Sequence, residues 1–362
     1  MSTLLTIVVS LVVFGTTVLV HELGHFWAAR RCGIHVEEFS IGFGPVIWTK
    51  VKNGTRYSVR LLPIGGYNMM SGYSQEEGEA QAAYDPKAPL LPATVSGKTY
   101  PEATPGQRFF VMISGALMNF LAGFLVLIVL LSSRAAITSK TVYDFLGENP
   151  RSEATGLQAG DEVMSVNGKY CFVAEDIMYE LQRTGDYTAS FTVMRNGNLV
   201  TLPDVQFDTA TNEAGETTMV LDFRVYGIAK SPLTVVQGAG RYFAYYARSI
   251  LRSFIDLATG NVGINELSGP VGVVSAVGQA VSYGWRDVLT LAALITINLG
   301  IFNLLPIPGL DGFKLLFLAW EGITARPVPE KIQAGINAAG MVMLLMLMLF
   351  VTWQDVARIF MP

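Results

Sequence analysis

Charged side chains are scarce in this chain of 362 residues, at 15% of the total, whereas soluble domains carry roughly a quarter. Hydrophobic residues make up 51%, and the mean hydropathy is +0.40. This balance predicts a membrane protein. The formal net charge is -4, so the chain lacks the basic field that attracts nucleic acid, and nucleic acid is excluded as a partner.

Cysteine and histidine are also rare, with two and three residues. Cys32 and Cys171 fall on opposite sides of the bilayer in the topology predicted below, so we expect no disulfide between them. The first residues lack the Lys/Arg segment and the small-residue cleavage site of a secretory signal. The first apolar run is therefore expected to remain in the protein as a spanning helix.

Four apolar runs are long enough to cross roughly 30 Å of hydrocarbon. They predict transmembrane helices at about 4–29, 109–132, 286–305 and 336–358. Arg30 and Arg31 follow the first run and Arg108 precedes the second, which places the segment between them in the cytoplasm by the positive-inside rule. Both termini and the long insert after the second helix then lie on the outer side.

The cytoplasmic segment contains a hairpin pattern. Residues 48–59 alternate around Asn53-Gly54, the strongest short-range hairpin signal, and residues 60–67 (RLLPIGGY) extend the pattern. We predict a small β-element near the membrane surface at about 46–70.

The insert predicts an α+β domain followed by an amphipathic helix. Its signals are a strand at 163–166, the Asn167-Gly168 turn, a helix at 174–183 and a second Asn-Gly hairpin. Residues 232–258 place aromatic and aliphatic side chains on one helix face and arginines on another. Such a helix lies on a bilayer surface or packs on a soluble domain.

The first predicted helix ends in an H-E-x-x-H motif, His21-Glu22-Leu23-Gly24-His25. Histidines at i and i+4 share a helix face about 5 to 6 Å apart, which suits one Zn²⁺. Glu22 lies where a carboxylate can accept a proton from activated water. The alternative, polar residues at a helix end, is disfavoured because ionisable groups in an apolar span cost about 2.5 to 3.5 kcal/mol each and normally mark function.

A catalytic zinc site needs a third protein ligand, and Asp311 is the candidate. It ends the segment NLLPIPGLDG, residues 303–312, whose prolines and glycines must break the third span. Broken backbone at membrane depth is tolerated only where it is buried or lines a wet cavity. The H-E-x-x-H motif and Asp311 are both expected at the cytoplasmic end of their spans, and therefore at the same depth in the membrane. The alternative is a helix-capping Asp in a surface loop.

Together these motifs resemble the site-2 protease family, specifically its bacterial RseP-like branch. The resemblance is carried by H-E-x-x-H in the first span, N-x-x-P-x-P-x-L-D-G after the third, and FSIGFGP (39–45) and RLLPIGGY (60–67) between them. It covers roughly residues 1–135 and 260–362.

The resemblance implies an intramembrane zinc metalloprotease in which His21, His25 and Asp311 bind Zn²⁺ and Glu22 is the catalytic base. It implies that Asn303 holds substrate, with Pro306 and Pro308 beside it in the same motif, and that the β-element engages substrate. The implied substrate-binding residues are Asn303, Pro306, Pro308, Arg60, Leu61, Leu62, Gly65, Gly66 and Tyr67.

The β-element has a physical reason to engage substrate. A helical transmembrane substrate hides its peptide bonds, and pairing with a strand edge would hold it extended and satisfy its freed backbone groups. A purely structural hairpin is the alternative.

Residues 159–168 (AGDEVMSVNG) resemble the strand-and-turn signature of PDZ domains of bacterial proteases. Such domains bind chain ends or block bulky ectodomains by strand addition beside a helix, here 174–183. A peptide ligand is therefore a possible partner.

The expected fold is a four-helix membrane protein with a small membrane-associated β-element and an inserted α+β PDZ-like domain. The expected domains are residues 1–135 as the first half of the protease core, 136–226 as the PDZ-like domain, and 227–362 as the amphipathic helix and second half of the core. We expect it in the bacterial cytoplasmic membrane, with the active site toward the cytoplasmic side.

The expected substrates are single-span membrane proteins, such as anti-sigma factors or remnant signal peptides. The main alternative is a catalytically inactive membrane adaptor that recruits partners through its PDZ-like domain. A di-iron lipid desaturase needs more than three histidines, and a zinc transporter would need ionisable residues in several spans.

Overall fold

The computed structural model describes residues 3–73, 97–184, 187–211, 217–263 and 267–360. The chain divides into two compact units, Met1–Val126 with Ile250–Pro362 and Leu127–Ser249. The first is called the helical unit below and the second the β-rich unit.

In chain order the described helices are α1 (Thr3–Arg31), α2 (Pro105–Ser133), α3 (Arg151–Ala154), α4 (Ala174–Leu181), α5 (Pro232–Ala258), α6 (Pro270–Tyr283), α7 (Trp285–Leu304), α8 (Asp311–Thr324) and α9 (Glu330–Phe360). The described strands are β1 (Val36–Lys52), β2 (Thr55–Met70), β3 (Ile137–Phe145), β4 (Glu162–Val166), β5 (Lys169–Tyr170), β6 (Thr188–Arg195), β7 (Asn198–Gln206), β8 (Asp208–Thr211), β9 (Thr217–Val220) and β10 (Phe223–Ile228).

Helices α1, α2, α7 and α9 are long and apolar enough to cross a membrane. They contain the four apolar runs that predicted transmembrane helices. Two of them begin earlier than predicted, α2 at Pro105 and α9 at Glu330. Proline is tolerated in the first helical turn, and the Thr104 hydroxyl accepts a hydrogen bond from the amide of Gln107 there.

Two helices of the helical unit were not predicted. Helix α6 precedes α7 directly and is too short to span a bilayer. Helix α8 lies between the third and fourth spanning helices, where no helix was predicted, and a partly buried ion pair of Arg108 with Glu321 (2.5 Å) ties it to α2. Each helix has 14 residues, fewer than a spanning helix needs.

Small and hydroxyl side chains bring the spanning helices together. A Cβ added at Gly24 of α1 would overlap the backbone carbonyl of Ser114 on α2. Between α1 and α7, the hydroxyls of Thr17 and Thr296 are hydrogen-bonded at 3.1 Å. Such contacts are the usual basis of helix association in lipid, where burial of apolar surface gives little driving force.

Strands β1 and β2 form a sheet that is longer than the predicted hairpin, because β1 already begins at Val36. Asn53 and Gly54 join the strands with positive φ angles of 52° and 79°, as a type I′ turn requires. Residues 38–41 of β1 lie opposite two parts of β2, and Phe39 faces both Tyr57 and Asn68. Among the described residues, 66–70 of β2 pair on one side only and form an edge of the sheet.

A buried ion pair holds this sheet together. Glu38 is only 2% exposed, and its Oε1 accepts hydrogen bonds from the Ser58 hydroxyl (2.6 Å) and from Nη2 of Arg60 (2.9 Å). Burial acts to raise the pKa of the Glu38 carboxyl, but these hydrogen bonds outweigh it and the pKa lies below its ordinary value of 4.5. Glu38 is therefore ionised in the folded protein at neutral pH.

The β-rich unit contains a six-stranded sheet in the order β10-β3-β4-β6-β7, with β5 paired to β4. The buried Phe191, Phe207 and Phe223 lie in its apolar core together with Ile177 and Leu181 of α4. The predicted strand, helix and second Asn-Gly hairpin of the insert correspond to β4, α4 and the β6–β7 pair. The unit is therefore α+β, as expected.

Within this unit, α5 packs on α4. The Tyr242 hydroxyl donates to Glu175 at 2.6 Å, and the Arg248 guanidinium donates to the Asp176 carboxylate and the Tyr170 carbonyl. Of the two interpretations of residues 232–258, these contacts favour the one in which the amphipathic helix packs on a soluble domain.

We expect Glu38→Gln to destabilise the β1–β2 sheet by about 3 kcal/mol, because it leaves the buried Arg60 guanidinium without its counter-charge. The folded-state pKa of Glu38 is lowered, so its contribution is present above pH 4.5 and is lost as the pH falls below that value. Thermal unfolding of detergent-purified protein should therefore show a lower unfolding temperature for the variant at neutral pH, and a smaller difference in acid.

Glu148→Gln, at an exposed position of the β-rich unit, is the matched control and should unfold like the unsubstituted protein. Equal stability of Glu38→Gln and Glu148→Gln at neutral pH would contradict this account of the sheet.

Candidate metal centre

Three side chains that are far apart in sequence meet in the helical unit. Nε2 of His21 and Nε2 of His25 are 3.1 Å apart, and they lie 3.1 and 3.0 Å from Oδ2 of Asp311. The two histidines are buried and Asp311 is nearly so. Among the described residues, this is the group of His, Cys, Asp and Glu side chains that could hold a metal ion.

Helix α1 places the two imidazoles one turn apart on its face toward α2. Their ring centroids are 4.7 Å apart and their planes nearly perpendicular. Nδ1 of His25 lies 2.8 Å from the backbone carbonyl of Val111. A carbonyl can only accept, so Nδ1 carries the proton and Nε2 directs its lone pair into the centre.

Two asparagine amides lie beside Nδ1 of His21. Its Nδ1 is 3.4 Å from Nδ2 of Asn119 and 3.5 Å from Nδ2 of Asn303. Oδ1 of Asn119 is buried without a partner among the described residues, and the oxygen and nitrogen of an amide are interchangeable by a half-turn. With Asn119 turned, its oxygen accepts from Nδ1 of His21, which leaves Nε2 free as a metal ligand.

The broken backbone after α7 brings Asp311 to the histidines. Helix α7 ends at Leu304, and α8 begins at Asp311 itself. The backbone of Leu305 and Leu310, between the two helices, is extended. Gly309 has a φ of +95°, and a Cβ at Gly312 would overlap the carbonyls that end α7. The prolines and glycines of this segment therefore make the turn that positions the carboxylate.

These residues fit zinc. Two imidazole nitrogens and one carboxylate oxygen are donors that Zn²⁺ prefers, and three protein ligands leave a fourth position open. Tetrahedral ligands at 2.0 to 2.1 Å from zinc are separated by roughly 3.3 Å, close to the observed 3.0 and 3.1 Å between the donor atoms.

The Glu22 carboxylate is held by the edge of the β1–β2 sheet. Nδ2 of Asn68 donates to Oε2 of Glu22 at 2.8 Å and to the backbone carbonyl of Glu22 at 2.6 Å. A Cβ added at Gly66 would lie 3.5 Å from Cγ of Glu22. Strand β2 thus passes directly over the H-E-x-x-H motif.

The other predicted site residues divide into three groups. Asn303 lies at the metal centre and Gly66 lies beside Glu22. The Arg60 side chain is buried in its own sheet, where it donates to Glu38, Ser40 and the carbonyl of Gly44. A further set lies near the site in the chain without a described side-chain contact to Glu22 or the metal group: Leu61, Leu62, Gly65, Tyr67, Pro306 and Pro308.

Sequence reasoning missed Asn68, Asn119 and Gly115 as residues of this site. A Cβ at Gly115 would overlap both imidazoles, so α2 can face the centre only because this residue is glycine. A glycine and an asparagine four residues apart in an apolar helix are a signal that could have indicated Gly115 and Asn119. Nothing in the local sequence indicates Asn68. His35 lies outside the metal group.

Comparison with known proteins gives a consistent result. The model of the family described as "Peptidase family M50" matches residues 9–347. "Zinc metalloprotease RasP" of Shouchella clausii is 32% identical over 98% of this chain and 99% of its own length. "Regulator of sigma-W protease RasP" of Bacillus subtilis is 28% identical over 98% of this chain and 99% of its own length.

We expect Gly115→Ala to lower the zinc content of the purified protein severalfold, because the added methyl group would displace both imidazoles. Zinc bound per chain, measured by atomic absorption after equilibration with Zn²⁺ and gel filtration, checks this.

Gly106→Ala is the matched control, because a Cβ at Gly106 in the same helix meets nothing within 4 Å. Full zinc occupancy in Gly115→Ala would show that α2 does not bound the metal centre as described.

Proposed function

Because the chain belongs to peptidase family M50 and is a zinc metalloprotease of the site-2 type, we propose that it cleaves single-span membrane proteins within or at the edge of their transmembrane segments. The observation that carries this proposal is the approach of His21, His25 and Asp311 to within 3.1 Å of one another. Two of the helices concerned, α1 and the α7 that precedes Asp311, are apolar enough to cross a membrane. The chemistry would therefore take place inside the lipid layer.

In this mechanism, His21, His25 and Asp311 bind Zn²⁺. Zinc, when bound, supplies a Lewis acid that activates water and polarises the scissile carbonyl. Glu22 accepts the proton of the attacking water and later delivers a proton to the leaving amine as the carbon–nitrogen bond breaks. Val111 and Asn119 keep the two imidazoles in the tautomers that leave Nε2 free.

Asn303 would hold the substrate beside the centre, because its amide Nδ2 lies 3.5 Å from Nδ1 of the proposed ligand His21. We group Pro306 and Pro308 with it, since the loop that contains them leads directly into Asp311. Pro306 is exposed and Pro308 packs against Gly340 of α9. Of the two, Pro306 is thus better placed to contact a substrate.

The substrate would pair with the edge of strand β2. In the part of the chain that the structure describes, residues 66–70 pair with β1 on one side only. Gly66 and Asn68 lie beside Glu22, so an extended peptide added there would reach the base. Strand addition would satisfy the backbone groups that unwinding a transmembrane helix exposes. Gly65, Gly66 and Tyr67 would then contribute backbone groups.

The other β2 residues predicted to bind substrate are Leu61, Leu62 and Arg60, and they would have different roles. Leu61 and Leu62 are more than half exposed and offer apolar contacts to the substrate or to lipid. Arg60 would act by holding the sheet together, since its guanidinium is bound by Glu38, Ser40 and Gly44.

The substrate class we favour is anti-sigma factors and remnant signal peptides, in line with the name of the Bacillus subtilis relative. The protein is a multi-pass protein of the bacterial membrane. We propose that its termini and the β-rich unit face the outer side and that the latter is a PDZ-like domain with a peptide ligand. The alternative of a catalytically silent adaptor is not favoured, because it leaves a full set of metal donors unexplained.

We expect Glu22→Gln to abolish cleavage of a co-expressed single-span reporter while zinc remains bound, because the substitution removes the proton acceptor and no metal ligand. Asp311→Asn should lower the zinc content and abolish cleavage as well. Immunoblots of the reporter and metal analysis of the purified variants check both outcomes.

Asp287→Asn, an exposed substitution in the first turn of α7, serves as the control and should cleave normally. Undiminished cleavage by Glu22→Gln would exclude the proposed mechanism.

A further inference from the structure

We infer that Asn68 is a positioning residue for Glu22, and that through it the strand that binds substrate also sets the orientation of the catalytic base. The inference rests on the proposed function for the role of Glu22. It goes beyond that function because it assigns a task in the reaction to a side chain outside both metal-binding motifs.

The first observation is a two-point attachment. The amide nitrogen of Asn68 carries two hydrogens, and its acceptors are the carboxylate and the backbone carbonyl of the same residue, Glu22, at 2.8 and 2.6 Å. The Asn68 amide is thus hydrogen-bonded both to the backbone of α1 and to the carboxylate. A contact to the carboxylate alone would leave the strand free to slide along the helix.

The second observation is that Glu22 is otherwise weakly constrained. It is half-buried, and the hydrogen bond from Asn68 is the one described for its carboxylate among the residues that the structure covers. A glutamate side chain has three rotatable bonds, so the carboxylate would sample several positions without a partner. A general base must lie within hydrogen-bond reach of the proton that it accepts.

The third observation is that Asn68 itself is rigidly placed. Its backbone pairs with Phe39, which is also paired with Tyr57 on its other side. Two residues earlier, a Cβ at Gly66 would overlap the Ser40 carbonyl of β1 and lie 3.5 Å from Cγ of Glu22, so the strand passes close to both. An extended substrate paired to this edge would therefore be in register with the strand that holds the base.

The chemistry of the contact selects a carboxamide. Aspartate at position 68 has the same shape, but its carboxylate would face the Glu22 carboxylate and the Glu22 carbonyl, both of which are acceptors. Leucine has a similar volume and no donor. Glutamine keeps both amide hydrogens on a side chain longer by one methylene group.

The test uses the full-length protein in detergent micelles, its zinc content, and a purified single-span reporter as the probe. We expect Asn68→Asp and Asn68→Leu to lower kcat about ten- to a hundredfold, the size of effect that misplacement of a catalytic group by about 1 Å produces. KM should change less than about twofold and zinc content should stay at the unsubstituted level. Asn68→Gln should retain several times more activity than Asn68→Leu.

Asp287→Asn, the exposed substitution in the first turn of α7 used above, is the control, since it lies outside the β1–β2 sheet and should leave kcat unchanged. Unchanged kcat in Asn68→Asp and Asn68→Leu would overturn the inference, as would a loss confined to KM or accompanied by loss of zinc. If Glu22→Gln is inactive in the same assay while the Asn68 variants are unaffected, only this inference fails; if Glu22→Gln is active, the proposed function fails.

Discussion

The structure depends on bringing two imidazoles and a carboxylate together inside a bundle of apolar helices. Polar groups in such surroundings are costly unless each has a partner, and here the partners are one another, the Val111 carbonyl and two asparagine amides. Much of the helical unit serves this convergence. Gly24 and Gly115 let α1 and α2 approach at the histidines, and the interrupted segment after α7 turns Asp311 inward.

Strand β2 adds a second constraint to the same site. Its edge lies against Glu22, and the sheet behind it is held by the buried pair of Glu38 and Arg60. The sheet is therefore a rigid support for the base as well as a surface for substrate. A peptide bound along this edge would approach a base already fixed by Asn68, so binding and proton transfer would share one structural element.

The parts of the site that sequence reasoning could predict were those encoded in short motifs. The i, i+4 spacing of His21 and His25 is sufficient to place both imidazoles on one helix face, and the prolines before Asp311 are sufficient to predict a break at membrane depth. Asn68 could not be predicted, because its contact with Glu22 depends on the register of a sheet 46 residues away. The sheet itself was predicted too short because the pairing of residues 38–41 with two parts of β2 has no local signal. Helices α6 and α8 lacked the length that made the spanning helices recognisable.

The central claim is that zinc is bound by two imidazoles and one carboxylate, and zinc K-edge X-ray absorption of the purified protein tests it most directly. We expect a shell of nitrogen and oxygen at about 2.0 to 2.1 Å from zinc, with the outer-shell scattering of two imidazole rings and no sulfur. A sulfur shell at about 2.3 Å, or the signature of a single imidazole, would contradict the assignment of His21, His25 and Asp311 as the metal ligands.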